Sequence, residues 1–414
     1  MNHWGVWAIA ALTIFGILVR PKRWPEAVWA CLGAILLLVF RFITPAQALS
    51  AVQRGTDVYV FLAGMMLLAE LARRQGLFDW LASHAVLAAR GSQLKLFSLV
   101  YVVGIVVTTL LSNDATAVVL TPAVYAAVKK ARGAVLPYLF ICAFIANAAS
   151  FVLPISNPAN LVIFGRAMPP LVDWLRFFAL PSLLSIAATY FLLRWLSRSE
   201  LRGPMEGKVR TDDLPASGRL VAFGIIASAI VLVIASALGK DLGMPTLVSA
   251  LVVFGAVLVL DRTAFVPVLK DISWGVLPLV AGLFVVVEGI DAVGAVQDVR
   301  DALNHVGRWA PLAGTLASSF GVAILCNIGN NLPVGLLTGR AVQDHIPQLI
   351  RNALVVGVDL GPNLSIAGSL ATILWLIALR REGEHVSYWE FLKFGILITP
   401  PALLLASAAL LVGH

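Results

Sequence analysis

Apolar stretches of ~17–25 residues, each long enough to cross a bilayer, recur along the chain and are parted by short polar segments. In the first half they fall at about 3–19, 25–42, 57–74, 135–167 and 171–197. In the second they fall at about 219–238, 245–261, 273–290, 346–379 and 389–412. A polar, proline-containing segment breaks the spans at 135–167 and 346–379. Between the third and fourth spans of each half lies a further apolar pair, 95–111 with 115–129 and 309–326 with 332–343. The arms are short for independent spans, and an Asn-rich tip joins each pair. Two re-entrant hairpins are therefore expected, at about 95–129 and 309–343. Gly76–Ala89 and Asp291–His305 alternate charged with apolar residues, the pattern of amphipathic helices lying at the membrane interface.

The halves match in detail. Phe61-Leu62-Ala63-Gly64 pairs with Leu279-Val280-Ala281-Gly282, and six residues further on Glu70 pairs with Glu288. One residue of slip brings Asn113-Asp114 onto Asn330-Asn331 and Leu120-Thr121 onto Leu337-Thr338. Five spans per half is an odd number, so the second half enters the membrane in the opposite sense. The expected fold class is an all-α polytopic membrane protein of two inverted repeats, each with five transmembrane spans (one broken) and one re-entrant hairpin. The repeats cover 1–197 and 219–414. A cytoplasmic linker at 198–218, containing Gly203-Pro204, Gly207 and Pro215, joins them.

Composition sharpens this picture. The chain is 60% hydrophobic and 13% charged, with mean hydropathy +0.91, more apolar than a soluble core requires. Trp4–Val19 is followed by Arg20-Pro21-Lys22-Arg23 without a small-residue cleavage site, so it is expected to remain as the first span. The net charge of +8 matters through its placement. With both termini outside, 21 of the 30 Lys and Arg residues face the cytoplasm, as the positive-inside rule requires, and no nucleic-acid partner is needed to explain them. Cys31, Cys142 and Cys326 all lie in apolar runs, which suits small packing residues better than disulfides.

Polar, turn-forming backbone at membrane depth costs several kcal/mol per unsatisfied amide unless it lines a cavity. Here it occurs at corresponding points of both halves, which points to the substrate site of a secondary transporter. The candidate substrate-binding residues are Ser112, Asn113 and Thr116 at the first tip and Asn327, Asn330 and Asn331 at the second. Ser156 and Asn157 at the first break join them, as do Asn363, Ser365 and Ser369 at the second. Asn and Asp also close turns, and proline frees carbonyls that polar neighbours then patch. The four segments taken together favour a polar chamber near the midplane. Half-helices starting after each tip aim free N–H groups and a positive dipole end at an oxygen ligand.

Four ionisable groups fall at membrane depth, where a charge costs at least ~2.5–3.5 kcal/mol: Glu70, Asp114, Glu288 and Asp359. Asp114 and Asp359, in a tip and a break, are the first candidates for proton coupling. Glu70 and Glu288, nearer the ends of their spans, suit either coupling or pairing with Arg. The chain contains no Gly-rich nucleotide loop, metal-binding helix signature or nucleophile elbow. No enzyme activity, cofactor or resident metal is expected, and energy must come from an ion gradient, the membrane potential or a cytoplasmic ATPase subunit.

Leu111-Ser112-Asn113-Asp114-Ala115-Thr116-Ala117-Val118-Val119-Leu120-Thr121-Pro122 resembles the first hairpin tip of the arsenite/antimonite efflux permease family, within the ion transporter superfamily. Asn330-Asn331-Leu332-Pro333 is similar to that family's second tip. More discriminating is the C-terminal run from Gly357 to Trp375. Its Asp359, Gly361-Pro362 and Gly368-Ser369-Leu370-Ala371-Thr372 before Leu374-Trp375 resemble the family's pattern, while Asn363 and Ile366-Ala367 depart from it. The resemblance extends over essentially the whole chain. It implies an inner-membrane exporter of trivalent arsenic and antimony hydroxides, working by proton antiport with alternating access. These substrates are neutral triols near pH 7, and neither tip nor break carries a Lys or Arg. The alternatives are a sodium/proton antiporter or another anion carrier of the same superfamily; a dicarboxylate would call for cationic groups at the tips.

Overall fold

The apolar runs fold into helices that end where proline, glycine or a polar cap interrupts them. The computed structural model describes residues 3–165, 168–203, 205–206, 213–342 and 346–413, and the regular structure among them is entirely helical. The first half comprises α1 (His3–Val19), α2 (Glu26–Val39), α3 (Pro45–Arg54), α4 (Thr56–Arg74) and α5 (Leu77–Ala89). It continues with α6 (Gln93–Leu110), α7 (Asn113–Ala115), α8 (Thr121–Lys130), α9 (Val135–Ala148), α10 (Pro158–Phe164) and α11 (Leu171–Leu196). The second half comprises α12 (Ala216–Ala237), α13 (Gly243–Leu260), α14 (Phe265–Asp271), α15 (Val276–Ala292) and α16 (Ala295–Val306). It ends with α17 (Pro311–Gly329), α18 (Asn331–Ala341), α19 (Gln348–Leu360), α20 (Leu370–Arg381) and α21 (Tyr388–Ala409).

Taken in order, the elements of the two halves correspond one to one once α7 and α8 are read as a single arm. These two are continuous through a π-helical turn at Thr116–Leu120. Pro122 has no N–H to offer the carbonyl four residues back, and the wider turn absorbs that loss. Among the described residues seven helices, counting α14 with α15 as one, are long and apolar enough to cross a membrane. Together α3 and α4, bent by 48°, make an eighth. At most half of each spanning window is buried within the protein, so the rest of these apolar surfaces faces lipid.

Packing between the halves is reciprocal. Helix α4 lies along α13, and its counterpart α15 lies along α2. A Cβ on Gly64 would meet the backbone of Thr246 and Leu247 at 2.8 Å, and one on Gly282 would meet the Ala30 backbone at 2.7 Å. Small residues let helix backbones close up where lipid supplies no hydrophobic drive. The half-helices exchange in the same way, α10 packing on α18 and α20 on the first hairpin's returning arm.

Two helices lie outside the sequence expectation. Residues 45–54 and 265–271, passed over as connections, form α3 and α14. A reciprocal capping box between Thr44 and Gln47, followed by Pro45, starts α3. Asp261 caps the 3-10 turn that leads into α14. In the linker, Glu200–Arg202 makes a 3-10 turn. Its residues 204 and 207–212 lie outside the described residues, as do 166–167 at the end of the first broken span and 343 at the end of the second hairpin.

Candidate functional site

Four helix starts meet around one pocket of about 370 Å³, its open mouth included. Each start is capped by a Ser or Asn side chain that accepts a backbone N–H. Ser112 takes Ala115 N at 3.2 Å, Asn157 takes Ala159 N at 3.0 Å, Asn330 takes Leu332 N at 3.3 Å, and Ser369 takes Thr372 N at 3.1 Å. The residues following the caps face the pocket: Asn113 and Asp114 from α7, Pro158 from α10, Asn331 and Leu332 from α18, and Leu370 and Ala371 from α20. Asn157 does both, capping α10 and lining the pocket. Opposite them, Val58 and Leu62 of α4 and Val276 and Val280 of α15 form an apolar wall.

Turn chemistry and site chemistry are thus divided between neighbouring residues. Asn330 sits at φ 68°, where Asn is among the better-tolerated side chains, and its Nδ2 donates to Ala367 O at 3.3 Å. Asn331, one position on, is 2% exposed, and its Oδ1 has no hydrogen-bond partner. Asn113 Oδ1 accepts from Asp114 N at 2.9 Å. Among the described residues Asp114 is the only ionisable side chain lining the pocket.

The remaining candidates hold this arrangement from behind. Thr116 Oγ1 pairs with Thr108 Oγ1 at 2.8 Å between the arms of the first hairpin. Ser156 Oγ donates to Thr109 O at 3.2 Å, tying the first break to α6. In the second half, Asn327 Nδ2 donates to Gly361 O at 2.9 Å, and its Oδ1 accepts from Ser365 Oγ at 2.6 Å. Asn363 is fully buried between the two breaks, donating to Phe144 O and accepting from Asn147 Nδ2, both at 2.9 Å. Asp359 is also fully buried behind the pocket, and Asn157 Nδ2 donates to its Oδ1 at 2.8 Å. Asn157 therefore connects Asp359 to the pocket wall.

Glu70 and Glu288 lie at the ends of their spans, each paired with Arg. Glu70 accepts from Arg73 Nε at 2.8 Å and Arg74 Nε at 2.9 Å, and both guanidinium groups also reach Asp271 of α14. Glu288 accepts from Arg54 and, at 2.7 Å, from Arg340 Nη1; Arg340 Nη2 reaches Asp291 at 2.6 Å. Neither glutamate lines the pocket. Sequence reasoning passed over two fully buried residues, Asn147 and Asn160. The signal that exposed the tips was present for both, since each is an Asn inside a run otherwise apolar at membrane depth.

Several known transport proteins are similar to this chain. The arsenical pump membrane protein of Escherichia coli strain K12 is 29% identical over 432 aligned residues, covering 97% of each chain. A putative arsenical pump membrane protein of Bacillus subtilis is 24% identical over 94% of this chain and 95% of its own. A crystal structure of the Alcanivorax borkumensis YdaH transporter aligns with 88% of this chain and 87% of its own at 12% identity, with a TM-score of 0.49. A family described as citrate transporter matches residues 10–379, a stretch that takes in both tips and both breaks. By that match the chain belongs to the citrate-transporter family of integral membrane transport proteins.

Proposed function

We propose that this protein exports trivalent arsenic and antimony hydroxides across the inner membrane in exchange for protons, by alternating access between two inverted repeats, 1–197 and 219–414. The observation that carries this reading is the make-up of the pocket. Asn113, Asn157 and Asn331 supply neutral donors and acceptors, helix starts supply N–H groups, and no Lys, Arg or His is among the lining residues. A neutral triol presents three O–H donors with lone pairs beside them. The unpartnered Asn331 Oδ1 is an acceptor suited to such a donor. The arsenical-pump names of the relatives support the same substrate.

A citrate-like carboxylate is the second reading, favoured by the family description and by helix starts, which attract anions. Against it, a multiply charged anion would sit beside Asp114 with no cationic side chain to balance it. Everted membrane vesicles separate the two. They are expected to accumulate arsenite and antimonite when an inward-acid proton gradient is imposed, and a protonophore abolishes the accumulation. Citrate transport without arsenite transport would favour the second reading, and sodium-dependent proton movement without either would make the protein a sodium/proton antiporter. If a cytoplasmic ATPase subunit supplies the energy instead, accumulation requires ATP and survives the protonophore.

Cys142 and Cys326 are both fully buried in helices, and neither lines the pocket. Replacing both with Ala is expected to leave most arsenite efflux intact. Loss of efflux from a folded double variant would assign the thiols a role in binding the metalloid.

A further inference from the structure

A second pocket of about 370 Å³, its open mouth included, lies beyond the first along the same two helices. Asp57 of α4 lines it, where the next residue, Val58, lines the central pocket. Leu161 of α10 lines it three residues past Pro158, so about one helix turn, ~5 Å, separates the two linings along α10. The rest of its rim includes the end of α12 and the loop into α13. There Gly239, at φ 63°, ends the helix, and Lys240 N bonds back to Ala235 O at 3.0 Å. Arg73, Arg74, Arg219 and Arg262 lie at the opposite ends of α4, α12 and α13, so the positive-inside rule turns this pocket outward.

Ser236 is left over by the helix that carries it. It lines this pocket, is 5% exposed, and its Oγ has no hydrogen-bond partner. A helical serine can turn its hydroxyl back to the carbonyl four residues earlier, as Ser150 does to Ala146 O at 2.6 Å. Ser236 leaves that bond unmade, a deficit that a ligand in the pocket would remove. Asp57 lines the same space. Its Oδ1 accepts from Gly243 N at 2.8 Å, with the Leu242 N–H beside it, so the carboxylate is held in place. A carboxylate accepts about four hydrogen bonds, and capacity remains. The repeat does not call for this group, because the match of 61–64 with 279–282 sets Gly275 against Asp57.

We propose, resting on the export function above, that this pocket is an outer binding site, which the metalloid hydroxide occupies between the central pocket and release. The charges around it select the ligand. Asp57 and Asp241 would repel an anion, and Lys240 on the same rim would repel a bare cation. Together they offer two acceptors and a donor, and the Ser236 hydroxyl serves as either. That set suits a small neutral molecule with several O–H groups, each of which both gives and takes a hydrogen bond. Lying past the central pocket on one side only, the site acts on release and re-entry at the outer face.

Exchange of labelled arsenite tests each face of the membrane separately. Right-side-out vesicles loaded with arsenite report half-saturation at the outer face, and everted vesicles report it at the cytoplasmic face. Ser236→Ala removes the unpartnered hydroxyl and no bond within the protein, so it should fold. Its outer half-saturation concentration is expected to rise about two- to tenfold, the size of one hydrogen bond, while the cytoplasmic value stays put. Asp57→Asn keeps an acceptor for Gly243 N but loses the charge, and should move the outer value in the same direction. A merely structural role would lower folded carrier and maximal rate at both faces and move neither half-saturation value. Outer values unchanged in both variants, or shifted equally at both faces, would overturn the outer site and leave the export function standing. Wild-type vesicles that exchange labelled citrate but not arsenite would overturn the export function, and the metalloid site with it.

Discussion

Asn113→Ala and Asn331→Ala are each expected to lower arsenite efflux about five- to a hundredfold while protein abundance stays near normal. Both residues follow a helix cap and line the pocket, and the caps themselves are Ser112 and Asn330; Asn113 adds one local bond, from Asp114 N. Asn331 is the sharper case, because its Oδ1 has no partner in the protein and its removal costs the fold nothing that can be named. If substrate hydroxyls bind there, truncation leaves them unmatched in a dry chamber, worth ~1–3 kcal/mol per lost partner. Asn330→Ala is the control. It removes the α18 cap and puts a side chain less tolerant than Asn at φ 68°, so it should lower the amount of folded protein as well as transport. Efflux measured against membrane abundance separates the two effects. Wild-type transport by both Asn113→Ala and Asn331→Ala would mean that the metalloid binds elsewhere.

Gly64→Val and Gly282→Val should each cause loss of most of the folded protein, and to a similar degree. At both sites the new side chain would meet a neighbouring helix backbone, at 2.8 Å for Gly64 and 2.7 Å for Gly282. Backbone cannot rotate out of the way as a side chain can, so the helices must part. Overpacking of this kind typically costs ~1–3 kcal/mol and more where relief is blocked. The two sites join α4 to α13 and α15 to α2, the reciprocal contacts between the halves. Thermal unfolding in detergent and membrane yield report the effect. Normal yield of both variants would show that these seams are looser than the close approach implies.

Much of the fold was legible because the solvent is a bilayer. A segment that crosses hydrocarbon must be apolar and must satisfy its own backbone, so span, break and hairpin each leave a mark in the sequence. The limits of α6, α9, α17 and α19 follow that rule closely. Helices α3 and α14 escaped it, because they are short, partly polar and not obliged to be apolar throughout.

For the site, the sequence determined that polar residues gather at two tips and two breaks, since only a cavity or a partner makes such residues tolerable at that depth. It could not divide them by task. Ser112, Asn330 and Ser369 cap helices, Asn363 and Asn327 bind backbone across the breaks, and Asn113 and Asn331 are left to face the pocket. A polar side chain is chemically equal to either task, and only the direction of its Cα–Cβ bond, fixed by how four helix starts meet, decides which it performs. The same holds for the four carboxylates. Their depth could be read from spacing, and Glu70 found its arginines, Arg73 and Arg74, on its own helix, but Glu288 found Arg54 and Arg340 and Asp359 found Asn157 only because helices far apart in the chain bring them together.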